Sequence, residues 1–200
     1  MNTRLKGISN ELEVLKALAN CGWLTTNLLA KWVWCDSSLK TGINKAQQIT
    51  RRLLLNGDIL ARVTLAGPKA WILTQRGALR LNDSLVQLGF VKGWAHHGYA
   101  ISTLQHLKQI LVVQALIKYR VDGFAAVGKA GIRAGLVSSK YLPLDGVVVN
   151  MINGYTMGLL YVSDRSPSTQ DRVAKLRGSC TLILIGEPRI VKVLSRVKEN

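Results

Sequence analysis

The chain has 200 residues, room for one or two domains, and 48% of them are hydrophobic, so a wholly disordered chain is excluded. Lys and Arg number 27 against 11 Asp and Glu, a formal net charge of +16. A surplus of this size points to a polyanionic partner, either nucleic acid or an anionic membrane surface.

No apolar run approaches the roughly 18 residues that a spanning helix needs. The best one, residues 110–117, is bounded by Lys108 and Lys118, so membrane insertion is not expected. Glu11 and Glu13 stand where a signal peptide needs an apolar run, which leads to the expectation of a soluble cytoplasmic protein. Cys21, Cys35 and Cys180 are widely spaced, with no Cys-x-x-Cys pair. They read as reduced thiols, and neither a zinc knuckle nor a cofactor is expected.

In chain order, residues 8–20 carry Leu12, Leu15, Leu18 and Ala19 on one helical face, and Gly22 ends the helix. Thr25 or Thr26 caps a second helix through Trp32, with Leu28, Leu29 and Trp32 turned inward. Asp36 or Ser37 caps a third helix that runs to about Leu55, where Asn56-Gly57 stops it. Ile43, Ala46, Thr50, Leu53 and Leu54 recur at helical spacing and form its expected core face. Two strands follow, 58–65 and 70–73, around a turn at 66–69, and Thr74 caps a further short helix.

Three helices followed by a short hairpin are the order of a winged helix-turn-helix. The face of the third helix opposite its core presents Thr41, Asn44, Lys45, Gln48, Arg51 and Arg52. Such side chains hydrogen-bond base edges or neutralise phosphates. Asn44, Lys45 and Gln48 are the preferred base readers, and Arg51 and Arg52 the preferred phosphate contacts. Arg62 and Lys69 lie on or beside the wing, within reach of the backbone or the minor groove.

Residues 83–98 read as a linker or bridging helix between a first domain, 1–82, and a second, 99–200. The basic surplus is shared: residues 1–90 hold 12 basic and 5 acidic residues, and residues 91–200 hold 15 and 6. Either domain can therefore touch a polyanion. Leu85, Leu88, Phe90 and Trp94 in the bridge offer an apolar surface for a homodimer, or for packing between the two halves.

The second half begins with a long helix, 102–119, on which Leu104, Leu107, Ile110, Leu111, Ala115 and Leu116 recur at three and four. A strand at 123–127 leads into a glycine-rich basic loop with Gly128, Gly131 and Gly135, which lacks the Lys-Ser/Thr of a phosphate loop. Strands at 144–149 and 155–162 flank a two-residue Asn153-Gly154 turn. A helix at 168–178, a fully apolar central strand at 181–185 and a helix at 188–199 complete a small α/β domain. His97 and His106 are nine apart and do not share a helical face, so with His96 they make a poor metal site.

Asp145, at the start of a hairpin strand, occupies the position of the metal-binding aspartate in restriction-endonuclease-like folds. There, a second acid and a Lys on the next strand help hold a divalent cation and activate water beside a phosphate. The segments LLLNGDILARVTLAGPKAWILTQRGALRL and LPLDGVVV, Ala95-His96-His97 before a long helix, and the closing helix–strand–helix carry a resemblance. Over nearly its whole length the chain resembles the replication-relaxation superfamily, which includes MobC-type relaxases and accessory proteins of mobilisable plasmids. That resemblance implies a winged helix joined to a restriction-endonuclease-like α/β domain.

This sequence departs from the family pattern. Leu144 separates Pro143 from Asp145, and GLLYVSDRSPS stands where the second acid and the Lys belong. The nuclease site is therefore expected to be degenerate, with Asp145, Asp164 and Lys175 as the best catalytic candidates if activity survives. The leading expectation is a non-catalytic, double-stranded-DNA-binding accessory factor in mobilisation, replication or segregation, working beside other mobilisation or replication proteins. The alternatives are a Mg2+-dependent endonuclease or relaxase that nicks at a transfer origin, a transcriptional regulator, and a protein-docking adaptor.

Overall fold

Helix α1 (Thr3–Cys21) is the element on which both halves of the chain pack. A computed structural model describes residues 3–65, 67–81 and 103–195. Val14, Leu15, Leu18 and Ala19 are buried, and Gly22 ends the helix with a φ of 88° while its N–H bonds Leu18 O. Next come strand β1 (Trp23–Thr25), α2 (Thr26–Val33), α3 (Leu39–Leu55), β2 (Ile59–Arg62), β3 (Ala70–Leu73) and α4 (Gln75–Arg80). The second part holds α5 (Thr103–Val121), β4 (Phe124–Gly128), α6 (Lys129–Ala134), β5 (Gly146–Asn150), β6 (Thr156–Val162), α7 (Pro167–Arg177), β7 (Thr181–Gly186) and α8 (Pro188–Leu194). Among the described residues this is a mixed α+β protein with eight α-helices and two small sheets. None of these helices is long and apolar enough to cross a membrane.

The first sheet is antiparallel in the order β1-β3-β2. Its outer strand β1 is absent from the sequence-based expectation, because three residues give no alternation to read. The second sheet runs β4-β5-β6-β7, antiparallel except for the parallel β6–β7 pair, which α7 connects. Strand periodicity splits its side chains between two cores. Val148 and Leu159 join the cluster around α1 and α5, while Val147 and Leu160 pack with Val173, Leu176 and Leu194 of α7 and α8. The first cluster extends from Leu29 and Leu53 to Leu116 and Ala126, so one continuous core spans both halves.

Several expectations from the sequence are corrected. Ser38 caps α3, two residues beyond Asp36. Leu54 is 42% exposed and Ile49 takes its place in the core, since Ala46, Ile49 and Leu53 keep a tighter stripe. On α5 the buried residues are His106, Val112, Val113 and Leu116, whereas Leu104 and Leu107 are exposed. Residues 110–117 are apolar nearly all round, so spacing alone did not choose a face. The glycine-rich loop is the short helix α6, closed by Gly135. Strand β7 is an edge strand and only partly buried, not a central strand, despite its apolar run. The turn between β5 and β6 takes four residues, 151–154, closed by Asn150 N–H to Tyr155 O. The bridge at 83–98, with Leu85, Leu88, Phe90, Trp94, His96 and His97, and the end of the expected last helix lie outside the described residues.

The two halves are joined by specific polar contacts as well as by the core. The Asn20 carboxamide donates to Ala126 O and accepts from Gly128 N–H, at 2.9 and 2.8 Å. Gly128 and Gly131 permit this approach: a Cβ on Gly131 would stand 2.6 Å from Asn20 Oδ1, and one on Gly128 3.0 Å from Asn20 O. Gln109 of α5 donates to Cys21 O and Trp23 O, and Arg120 stacks on the Trp32 ring at 4.7 Å. Asn20→Ala orphans one donor and one acceptor in this joint. It should cost about 2 kcal/mol in chemical denaturation, with both halves unfolding in one transition. An unchanged midpoint would show that the joint contributes nothing.

Candidate nucleic-acid interface

Helices α2 and α3 are joined by a five-residue turn, 34–38, and approach each other where Gly42 faces Ala30. Local capping sets both starts. Thr25 Oγ1 accepts from Leu28 N–H, and Ser38 Oγ accepts from Thr41 N–H. The Trp71 indole N–H donates to Thr26 Oγ1 and ties β3 to the start of α2.

The structure leaves Thr41, Asn44, Gln48, Arg51 and Arg52 exposed on α3, with Lys40 and Gln47 beside them. The 17 residues of this helix include four cations and no carboxylate. Asn44, Gln48 and Arg51 make no hydrogen bond or ion pair within the described residues, so their polar atoms are available. The other candidates are partly engaged. Thr41 Oγ1 accepts from the Ser38 hydroxyl, and Lys45 Nζ reaches back to Ser37 Oγ at 3.4 Å. Arg52 Nε lies 3.6 Å from Glu11, so one phosphate candidate also serves the fold. Lys69 is exposed on the loop joining β2 to β3. Arg62, at the end of β2, is half-buried, and its Nε has no partner among the described residues.

Two buried carboxylates, Glu11 and Asp58, anchor a partly exposed ion network that reaches α3 through Arg52. Arg80 of α4 bonds both Glu11 of α1 and Asp58, the residue just before β2. Arg76 adds a second, looser contact to Asp58 at 3.6 Å. Sequence reasoning missed this network. Its only signal was two acids embedded in apolar stretches, which demand cationic partners if buried.

The three nuclease candidates occupy separate settings. Asp145 is 2% exposed. Its Oδ1 receives Lys108 Nζ at 2.7 Å and Lys129 Nζ at 3.0 Å, and its Oδ2 accepts from Tyr161 N–H at 3.0 Å. Burial pushes this carboxyl up, but the Lys108 hydrogen bond and charge, the Lys129 charge and the Tyr161 N–H outweigh it, and it lies below its usual value. Asp164 is exposed and accepts from the Ser166 and Thr169 hydroxyls and the Ser166 N–H at the entrance to α7. Those bonds, the Ser166 hydroxyl first, hold its carboxyl well below the usual carboxylate range. Lys175 lies on α7 in an open groove with Pro143, Ser168, Asp171 and Arg172. The partners of Asp145 are thus Lys108 and Lys129, neither of which the strand pattern nominated, and not Asp164 or Lys175. His106 is buried and stacked on Trp23. Among the described residues no group of three or more His, Cys, Asp or Glu is arranged to hold a metal ion.

With a folded-state pKa below the usual 3.8, the ionised Asp145 contributes stability above that value and loses it as pH falls through the folded one. Asp145→Ala leaves two half-buried ammonium groups without their counter-ion and should cost about 3 kcal/mol at neutral pH. Its loss of stability on acidification should also be shallower than that of the wild type. Denaturation curves from pH 7 to about pH 3 check both. Equal stability at neutral pH would mean that the triad is not structural.

No family model, no curated protein and no solved structure matches the chain.

Proposed function

We propose that this chain is a double-stranded-DNA-binding protein of a mobile element. In this reading α3 is the recognition helix of a winged helix-turn-helix and the β2–β3 hairpin is its wing. One observation carries the proposal: the exposed face of α3 combines amides and cations and bears no carboxylate. Amides pair with base edges, and cations release counter-ions from phosphates. The net charge of +16 supports the same partner.

The second half reads as a restriction-endonuclease-like domain that has lost its chemistry. The succession of α5, the antiparallel β4, β5 and β6, α7, the parallel β7 and α8 supports that architecture, as does an aspartate at the head of β5. Both oxygens of Asp145 are already engaged, by two ammonium groups and an amide, so a cation would have to displace lysines. This favours a non-catalytic role, in which the second half clamps further duplex or holds partner proteins. The resemblance to the replication-relaxation superfamily supports mobilisation, replication or segregation as the process served, with other proteins of those assemblies, or a second copy of this chain, as candidate partners.

Fluorescence anisotropy with labelled duplex over a range of salt tests the proposal. Binding should weaken steeply with salt. Arg51→Ala should lower the log–log slope by about 0.9. Asn44→Ala and Gln48→Ala should leave the slope unchanged and reduce discrimination among sequences by about 1–3 kcal/mol at the base concerned. Absent or salt-insensitive binding at low ionic strength would overturn the proposal.

A further inference from the structure

The tip of the β5–β6 hairpin carries two apolar side chains that the protein does not cover. Ile152 is 97% exposed and Met151 71%. The tip is nevertheless well framed. Asn150 Oδ1 accepts from Ile152 N–H at 2.9 Å and Asn153 N–H at 3.4 Å, and Gly154 N–H bonds Asn150 O at 2.9 Å. Tyr155 N–H bonds Asn153 Oδ1, and the Tyr155 hydroxyl donates to Thr181 Oγ1 at 2.7 Å. Gly154 takes the left-handed φ of 70° that closes the loop. This hydrogen-bonded loop leaves both Met151 and Ile152 exposed.

The tip also lies at a particular end of the molecule. Asn150 pairs with Phe124, which follows the end of α5 by three residues. Ile117 and Val121 in that last part of α5 share a groove with Leu39 and Gly42 in the first turn of α3. Arg120 stacks on Trp32 of α2. The hairpin tip is therefore on the side of the N-terminal end of α3. Recognition helices direct that end into the major groove, and the neighbouring minor groove passes within about half a helical turn.

We propose that Met151 and Ile152 form an apolar wedge that enters the minor groove beside the α3 site, parts a base step and bends the duplex. The proposal rests on the DNA reading above and adds to it the means of bending. Apolar side chains on a stiff projection are what minor-groove bending proteins insert between base steps, and the extra protein–DNA contact offsets the unstacking. The tip, residues 151–155, has no carboxylate to repel phosphate, and Lys118 and Arg120 outnumber Asp122 beside it. A large positive charge also opposes tip-to-tip pairing of two copies.

The test uses the full chain with a duplex of about 30 base pairs containing TA steps, labelled at both ends for energy transfer. Wild-type protein at saturation should bring the ends closer. Ile152→Ser, a change at a solvent-exposed tip, should bind about tenfold more weakly, with the salt slope unchanged and the bend reduced. Met151→Ser with Ile152→Ser should abolish bending altogether. A wild type that binds without bending, or serine variants that bend as the wild type does, would overturn the wedge while leaving DNA binding intact. So would serine variants that bend normally and lose only self-association or binding to anionic vesicles. If wild-type protein bound no duplex at low salt, the DNA reading would fail, and the wedge with it.

Discussion

The Asn20 side chain closes two backbone groups of the second half, Ala126 O and Gly128 N–H, and does so from the last turn of the first helix. This contact needs two glycines, because any side chain at 128 or 131 would meet α1 at less than ordinary contact distance. Around it lies a continuous apolar core that includes residues from α1, α2 and α3 and from α5, β4, β5 and β6. A rigid joint of this kind decides how the surfaces of the two halves are presented together. It puts the start of α3 and the end of α5 in one groove, and so gives the α3 face and the β5–β6 tip a fixed relation. In a loosely linked chain the same two features would act independently, with effective concentration as their only coupling.

Buried ions make the second constraint. Glu11, Asp58 and Asp145 are all largely hidden, and each is answered by cations: Arg80 and Arg52, Arg80 and Arg76, Lys108 and Lys129. Hidden carboxylates need such partners, because an unpaired buried charge is strongly destabilising. The functional consequence concerns what remains outside. Among the described residues, three acids, Glu11, Asp58 and Asp145, are consumed internally. Lys40 and Arg51 of α3 meet solvent with no carboxylate on their own helix, which suits a phosphate backbone.

Much of this organisation was legible from the chain. Thr25 and Thr74 cap their helices, Gly22 and Gly57 end theirs, and α3 exposes its amides and arginines, all from local rules of capping and periodicity. The same rules could not orient α5, which is apolar on nearly every side at its centre, nor detect a three-residue strand whose partner lies far along the chain. They also placed β7 at the centre of its sheet on hydrophobicity alone, whereas strand order is a property of the whole topology. The candidate nuclease site shows the limit most clearly. The likeness to restriction-endonuclease-like folds grouped Asp145 with Asp164 and Lys175, but the fold delivers Lys108 from α5 and Lys129 from α6 to it. A carboxylate's partners across a fold are set by tertiary packing, and no local pattern encodes them.

The central claim is that the exposed face of α3 meets duplex DNA. Amide chemical-shift mapping of isotope-labelled protein during a duplex titration addresses it residue by residue. The largest shifts should cluster at Thr41, Asn44, Lys45, Gln48 and Arg51, with a second group at the β2–β3 loop around Lys69. Shifts confined to the second half, with α3 unmoved at saturation, would contradict it.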